Sequence, residues 1–149
     1  MKNTKLEEFE KYINSKKVAI IGLGVSNIPL IDYMHEKGAY VTIFDNRERD
    51  EISSEILDKI QKYGFQFIEG KENLKSLTGF DIIFRSPSCL PTRPELAEEA
   101  KRGAIVTTEI EMLMKMCPCK VIGITGTEGK TTTSSIIHAI IKKAEINCY

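Results

Sequence analysis

The stretch Lys17-Val18-Ala19-Ile20-Ile21-Gly22-Leu23-Gly24-Val25-Ser26-Asn27 decides the fold. Its first five residues, KVAII, form an apolar run without polar alternation, the pattern of a strand buried on both faces of a parallel sheet. Gly22 permits a tight turn and Gly24 a close backbone approach. The chain then enters a helix with Ile28, Ile31 and Met34 on one face, stopped by Gly38. Tyr40 to Phe44 (YVTIF) is a second strand, ending at Asp45-Asn46-Arg47. Strand, helix and strand make a βαβ unit.

Working outward, a short amphipathic helix precedes this unit, with Leu6, Phe9 and Ile13 on one face. After it, Ser53 caps a helix to Tyr63 with Ile56 and Ile60 inward, and Phe65 to Ile68 is a third strand. A short helical piece near Glu72 to Leu77 leads to a fourth strand, Phe80 to Phe84, broken by Arg85-Ser86-Pro87-Ser88. Pro94 opens a helix to Arg102 and Gly103 closes it before the strand Ala104 to Val106. Thr108-Glu109-Ile110-Glu111 is a capping box for a helix through Met116. Strands alternating with helices predict an α/β fold, a Rossmann-like parallel sheet with helices on both faces and ligands at the carboxyl ends of its strands.

A second chemistry-bearing stretch follows Cys117-Pro118-Cys119, the expected hinge to a new unit. The run Val121 to Thr125 reads as a buried strand, Gly126-Thr127-Glu128-Gly129-Lys130-Thr131-Thr132-Thr133 as a glycine-punctuated turn, and Ser134 to Lys143 as an amphipathic helix. Such a turn lets backbone N–H groups converge on phosphate oxygens at a helix N-terminus. The lysine then reaches the outer phosphates and a threonine hydroxyl sits on Mg²⁺. We read Gly126 to Thr132 as an ATP phosphate loop, with Lys130 and Thr131 as its catalytic pair and Thr131 as the metal ligand. The spacing departs from the generic loop, since five residues rather than four separate Gly123 from Gly129. Glu128 is expected to point into solvent or toward a Mg²⁺ hydration shell, because a carboxylate facing phosphate is repelled.

Composition excludes several function classes. The 149 residues contain 21 Lys plus Arg and 21 Asp plus Glu, so no basic excess points to nucleic acid. No run is long and apolar enough for a membrane span, and the charged N-terminus is no signal peptide, so the expected address is the cytoplasm. Cys89, Cys117, Cys119 and Cys148 lack paired metal-ligand spacing and read as reduced structural thiols. His35 and His138 fall on helices and receive no role.

The first βα turn is the other candidate site. Asn27 replaces the third glycine of the dinucleotide fingerprint, while Asp45, 21 residues after Gly24, stands where a carboxylate usually meets a ribose hydroxyl. Ser86-Pro87 faces the same crevice. These residues leave open a non-catalytic nucleotide-binding module and a nicotinamide-dependent oxidoreductase fragment, although the latter has no use for Gly129-Lys130-Thr131.

In order along the chain, GLGVSN, FDNR, RSPS, TEIEML and GITGTEGKTTT resemble the cytoplasmic Mur ligases of peptidoglycan synthesis, and within them the branch that joins D-glutamate to UDP-N-acetylmuramoyl-L-alanine. The resemblance implies that Leu23, Gly24, Val25 and Ser26 receive UDP phosphates and that Asp45, Asn46 and Arg47 hold the uracil, Arg47 supplying donors and Asp45 an acceptor. Ser86, Pro87 and Ser88 correspond to a Ser-Pro-Gly turn, with Ser88 in place of the glycine; Glu128 stands where these ligases commonly have Asn.

The reaction implied is ATP-dependent and Mg²⁺-assisted: a carboxylate attacks the γ-phosphate to give an acyl phosphate, and an amine displaces phosphate. The resemblance also implies that residues 1–107 are a Rossmann-like UDP-substrate domain and 108–149 a linker helix with the start of an ATP-binding central domain. The chain then reads as the first third of a longer, monomeric enzyme. Alone it is expected to be inactive as a ligase and able to self-associate.

Overall fold

In the computed structural model, which describes residues 3–148, the apolar runs become β1 (Lys17–Ile21), β2 (Tyr40–Asp45), β3 (Gln66–Glu69), β4 (Ile82–Arg85) and β5 (Ile105–Thr107). All pairings are parallel, in the order β3-β2-β1-β4-β5. β1 is therefore central, with Ile21 opposite Phe44 on one side and Arg85 on the other. The winding reverses between β1 and β4, and in open α/β sheets a crevice opens outside the carboxyl ends of the strands at such a point.

Alternate residues of each strand feed two apolar layers. Val18, Ile20, Val41, Ile43, Ile82 and Phe84 face one way, against Ile13 of α1 (Thr4–Ile13), Ile31 and Met34 of α2 (Ile28–Glu36), Ile60 of α3 (Ser54–Lys62) and Met112 of α5 (Glu109–Met116). Ala19, Ile21, Phe44 and Ile83 face the other way, against Leu96 of α4 (Pro94–Lys101) and against Leu74 and Leu77. Burying each such side chain contributes about 1.5–3 kcal/mol, and together these layers fix the strand register. The second layer is thinner because the β3-to-β4 crossover carries only a 3₁₀ turn, Asn73–Ser76, where the sequence predicts a short helical piece.

Helix ends follow the sequence signals unevenly. Thr108 and Glu111 form the expected reciprocal cap, each side chain accepting the other's backbone N–H at 3.2 and 3.1 Å. Ser53 occupies the N-cap position of α3, yet its hydroxyl makes no capping hydrogen bond. Asn3 reaches from the start of α1 to the carbonyl of Met116 at the end of α5, 3.0 Å away.

The chain divides into two compact units, Met1–Pro118 and Cys119–Tyr149. In the second, the expected strand Val121 to Thr125 does not form, and Val121 and Ile122 are exposed. A strand needs a neighbour to complete its hydrogen bonds, and the described residues of this unit supply none. The helix does form as α6 (Lys130–Lys143), starting four residues before the expected Ser134, with Ile136 and Ile140 exposed. Among the described residues no helix is long and apolar enough to cross a membrane.

Candidate functional site

Three loops converge at the carboxyl ends of β1, β2 and β4. Gly22 has φ +85°, a conformation favouring glycine, and its N–H donates to the Phe44 carbonyl at 2.7 Å. A Cβ at Gly22 would lie 2.9 Å from Ser86 Oγ and 3.0 Å from Ser86 Cβ, so the β1 and β4 turns touch at the winding reversal. The Ser86 and Ser88 hydroxyls are paired at 3.1 Å beside them.

Asp45 and Arg47 set the shape of the first turn. The buried Asp45 carboxylate accepts the N–H of Leu23 at 2.7 Å, the N–H of Arg47 at 3.0 Å, and Arg47 Nε and Nη2 at 2.9 Å each. Arg47 Nη2 also donates to the Leu23 carbonyl at 3.0 Å. Burial alone would raise the Asp45 carboxyl's pKa; the Arg47 guanidinium and the two backbone donors outweigh it and hold the group below the ordinary carboxylate range. The acceptor expected of Asp45 for a flat ring is therefore already engaged within the protein, whereas the Arg47 side chain stays 45% exposed.

Asn27 has a role that fingerprint matching missed. Its side chain is buried, and its amide donates to the carbonyls of Ile21 and Gly22 at 2.9 Å each, tying the start of α2 to the end of β1. The third glycine of a dinucleotide fingerprint serves close helix–strand packing; here an amide bridge spans that gap. Gly24, Val25 and Ser26 are exposed at the tip, and among the described residues their N–H groups have no backbone acceptor. That row of donors in front of a helix N-terminus suits an anionic group.

Asn46 was expected at this site; Asn73 was not. Asn46 is exposed, and its side-chain carbonyl accepts Asn73 Nδ2 at 3.2 Å. No sequence signal joins two asparagines 27 residues apart.

The second unit carries the other candidate residues. Gly129 caps α6 in the left-handed conformation, φ +74°, and Gly126 has φ +152°. Lys130 Nζ lies over the loop, donating to the carbonyls of Gly126 at 2.7 Å and Thr127 at 3.2 Å. Thr131 and Thr132 are exposed in the first turn of the 14-residue helix, and Glu128 is exposed in the loop. A glycine-shaped turn, helix-terminal donors and a lysine over the loop suit a phosphate chain.

The remaining reactive side chains lie elsewhere. His35 stacks on Tyr63, ring centroids 3.8 Å apart, and all four cysteines are free. Burial raises the pKa of the Cys89 thiol. No cluster of His, Cys, Asp and Glu among the described residues could hold a metal ion.

Comparison with known proteins gives the family. The chain is 41% identical over 138 residues to UDP-N-acetylmuramoylalanine--D-glutamate ligase of Clostridium botulinum strain Kyoto, covering 93% of this chain and 30% of that protein. It is 39% identical over 147 residues to the enzyme of the same name from Ruminiclostridium cellulolyticum, covering 99% and 31% respectively. The chain thus spans about a third of the length of these relatives. Among solved structures, a murein peptide ligase from Psychrobacter arcticus matches with a TM-score of 0.53 at 20% identity, covering 88% of this chain and 27% of that one. A dipicolinate synthase chain from Bacillus halodurans gives 0.52 at 17% identity, covering 98% and 53%. At such identities these structures speak for the Rossmann-like fold alone. The model of the N-terminal domain of MurD-like Mur ligases matches residues 16–108, most of the first unit, and the chain belongs to that family.

Proposed function

We propose that this chain is the uridine-nucleotide-binding portion of a cytoplasmic, ATP-dependent ligase that joins D-glutamate to UDP-N-acetylmuramoyl-L-alanine. The observation that carries the reading is the turn Leu23 to Ser26, held by Asp45, Arg47 and Asn27 at the winding reversal, with the N–H groups of the exposed Gly24, Val25 and Ser26 left without a backbone acceptor among the described residues. The UDP phosphates take those donors, and the uracil lies against Asn46 and the exposed part of Arg47. Asp45 acts by positioning Leu23 and Arg47. Ser86, Pro87 and Ser88 border the same crevice.

Gly126 to Thr132 would hold the ATP phosphates, with Lys130 releasing its loop carbonyls to reach the outer phosphate and the Thr131 hydroxyl taking one position on Mg²⁺. Bound there, ATP and Mg²⁺ supply the phosphoryl group and the charge compensation that activate the substrate carboxylate for attack by the amine. The loop's part is positioning, so it needs the rest of the ATP-binding domain to be productive. In the full-length enzyme, phosphate release should require both UDP-N-acetylmuramoyl-L-alanine and D-glutamate and vanish in Lys130→Ala. Release independent of the uridine substrate would refute the reading.

A further inference from the structure

The observation not absorbed by this reading is an orphan. Asn73 is 4% exposed, and its side-chain Oδ1 is buried without any hydrogen-bond partner. An unmade hydrogen bond on a buried polar atom is destabilising, and nothing in the apolar neighbourhood of Leu74 and Leu77 requires an amide at this position. The other end of the amide explains its presence, since Nδ2 donates to Asn46 Oδ1 at 3.2 Å. The opposite orientation of the pair would leave an NH₂ group buried and unpaired in place of a carbonyl, and orphaned donors are rarer than under-satisfied carbonyls. Asn73 is itself fixed, its N–H donating to the Gly70 carbonyl at 3.1 Å and its own carbonyl accepting Ser76 Oγ at 2.9 Å.

With its carbonyl held by Asn73, the exposed Asn46 side chain keeps its NH₂ donors without a partner among the described residues. Uracil and cytosine differ on their outer edge: uracil carries a carbonyl at C4 and an N–H at position 3, cytosine an amino group at C4 and a bare ring nitrogen. With the C4 substituent of the base facing Asn46, its donors match the uracil carbonyl and oppose the cytosine amine. We propose that Asn73 is a specificity-positioning residue, which orients Asn46 so that the first unit selects uridine over cytidine nucleotides. This inference rests on the uridine reading above and adds to it the residue pair that reads the base.

The test is calorimetric titration of the 149-residue chain with UDP and with CDP, whose equal phosphates cancel in the affinity ratio. The wild-type chain should favour UDP by about tenfold or more, the scale of a hydrogen-bond mismatch. Asn46→Asp keeps an acceptor for Asn73 and turns an acceptor outward; the ratio should fall to about one or invert. Asn73→Ala frees Asn46 to present either end, and the ratio should fall below about threefold. Should Asn73→Ala fail to fold, Asn46→Asp decides, because that side chain is exposed. Wild-type binding of UDP with a ratio unchanged in Asn46→Asp would overturn this inference alone. Equal wild-type affinity for UDP and CDP would do the same, and failure of the chain to bind either nucleotide would remove the uridine reading and this inference with it.

Discussion

The Asp45 carboxylate and the Arg47 guanidinium meet fork to fork through two hydrogen bonds of 2.9 Å, and both then grip Leu23, one by its N–H and the other by its carbonyl. The end of β2 thereby shapes the turn after β1. Asp45→Asn should destabilise the chain by about 2–3 kcal/mol, the scale of buried hydrogen bonds to a charged group. Because the folded carboxyl lies below its ordinary range, its contribution is full above the unfolded value of about 4 and is lost as pH falls through the folded value. Urea unfolding across pH should show the wild-type advantage over Asp45→Asn constant near neutrality and shrinking below about pH 4. An advantage independent of pH would show that the charge contributes nothing.

Gly22→Ala should destabilise by about 2–3 kcal/mol, since a left-handed φ and a contact with Ser86 are both opposed to a side chain. Adding Ser86→Gly should recover part of that loss by removing the contact and leave about 1 kcal/mol from the backbone conformation. A double-mutant cycle in guanidinium measures this; strict additivity would mean that the two turns do not touch in solution.

Asn27→Gly restores the glycine that the dinucleotide fingerprint asks for. It also removes the amide from the Ile21 and Gly22 carbonyls. The variant should lose about 1–3 kcal/mol of stability and gain no NAD binding. Denaturant melts and an NAD titration check both halves.

The central βαβ unit is legible in the sequence because local pattern and tertiary role coincide there. An apolar run, a glycine at positive φ and a helix with one apolar face each allow a single arrangement, and Thr108 with Glu111 marks its helix start equally well. Val121 to Thr125 has the same apolar pattern and forms no strand, because pattern reports the capacity to pair and the described residues of this unit offer no neighbour. At the site, glycines and the Asp45-Asn46-Arg47 turn could be found by position. What Asp45, Asn27 and Asn73 bind could not, since those partners come from segments brought together only by the parallel winding.

Glu128 is exposed, and Lys130 is held by the Gly126 and Thr127 carbonyls rather than by its carboxylate. Glu128→Asn in the full-length enzyme should therefore preserve or improve ATP affinity, as removing a like charge near phosphate predicts. A large loss of affinity in that variant would assign the carboxylate a positive role.

The uridine reading is tested most directly by titrating the chain with UDP-N-acetylmuramoyl-L-alanine and, separately, with NAD while following backbone amide resonances. The account predicts that the uridine ligand shifts Leu23 to Ser26 and Asp45 to Arg47 together, that Arg47→Ala weakens it by about tenfold or more, and that NAD leaves these amides unmoved. Binding of NAD at this turn, with no response to the uridine ligand, would contradict it.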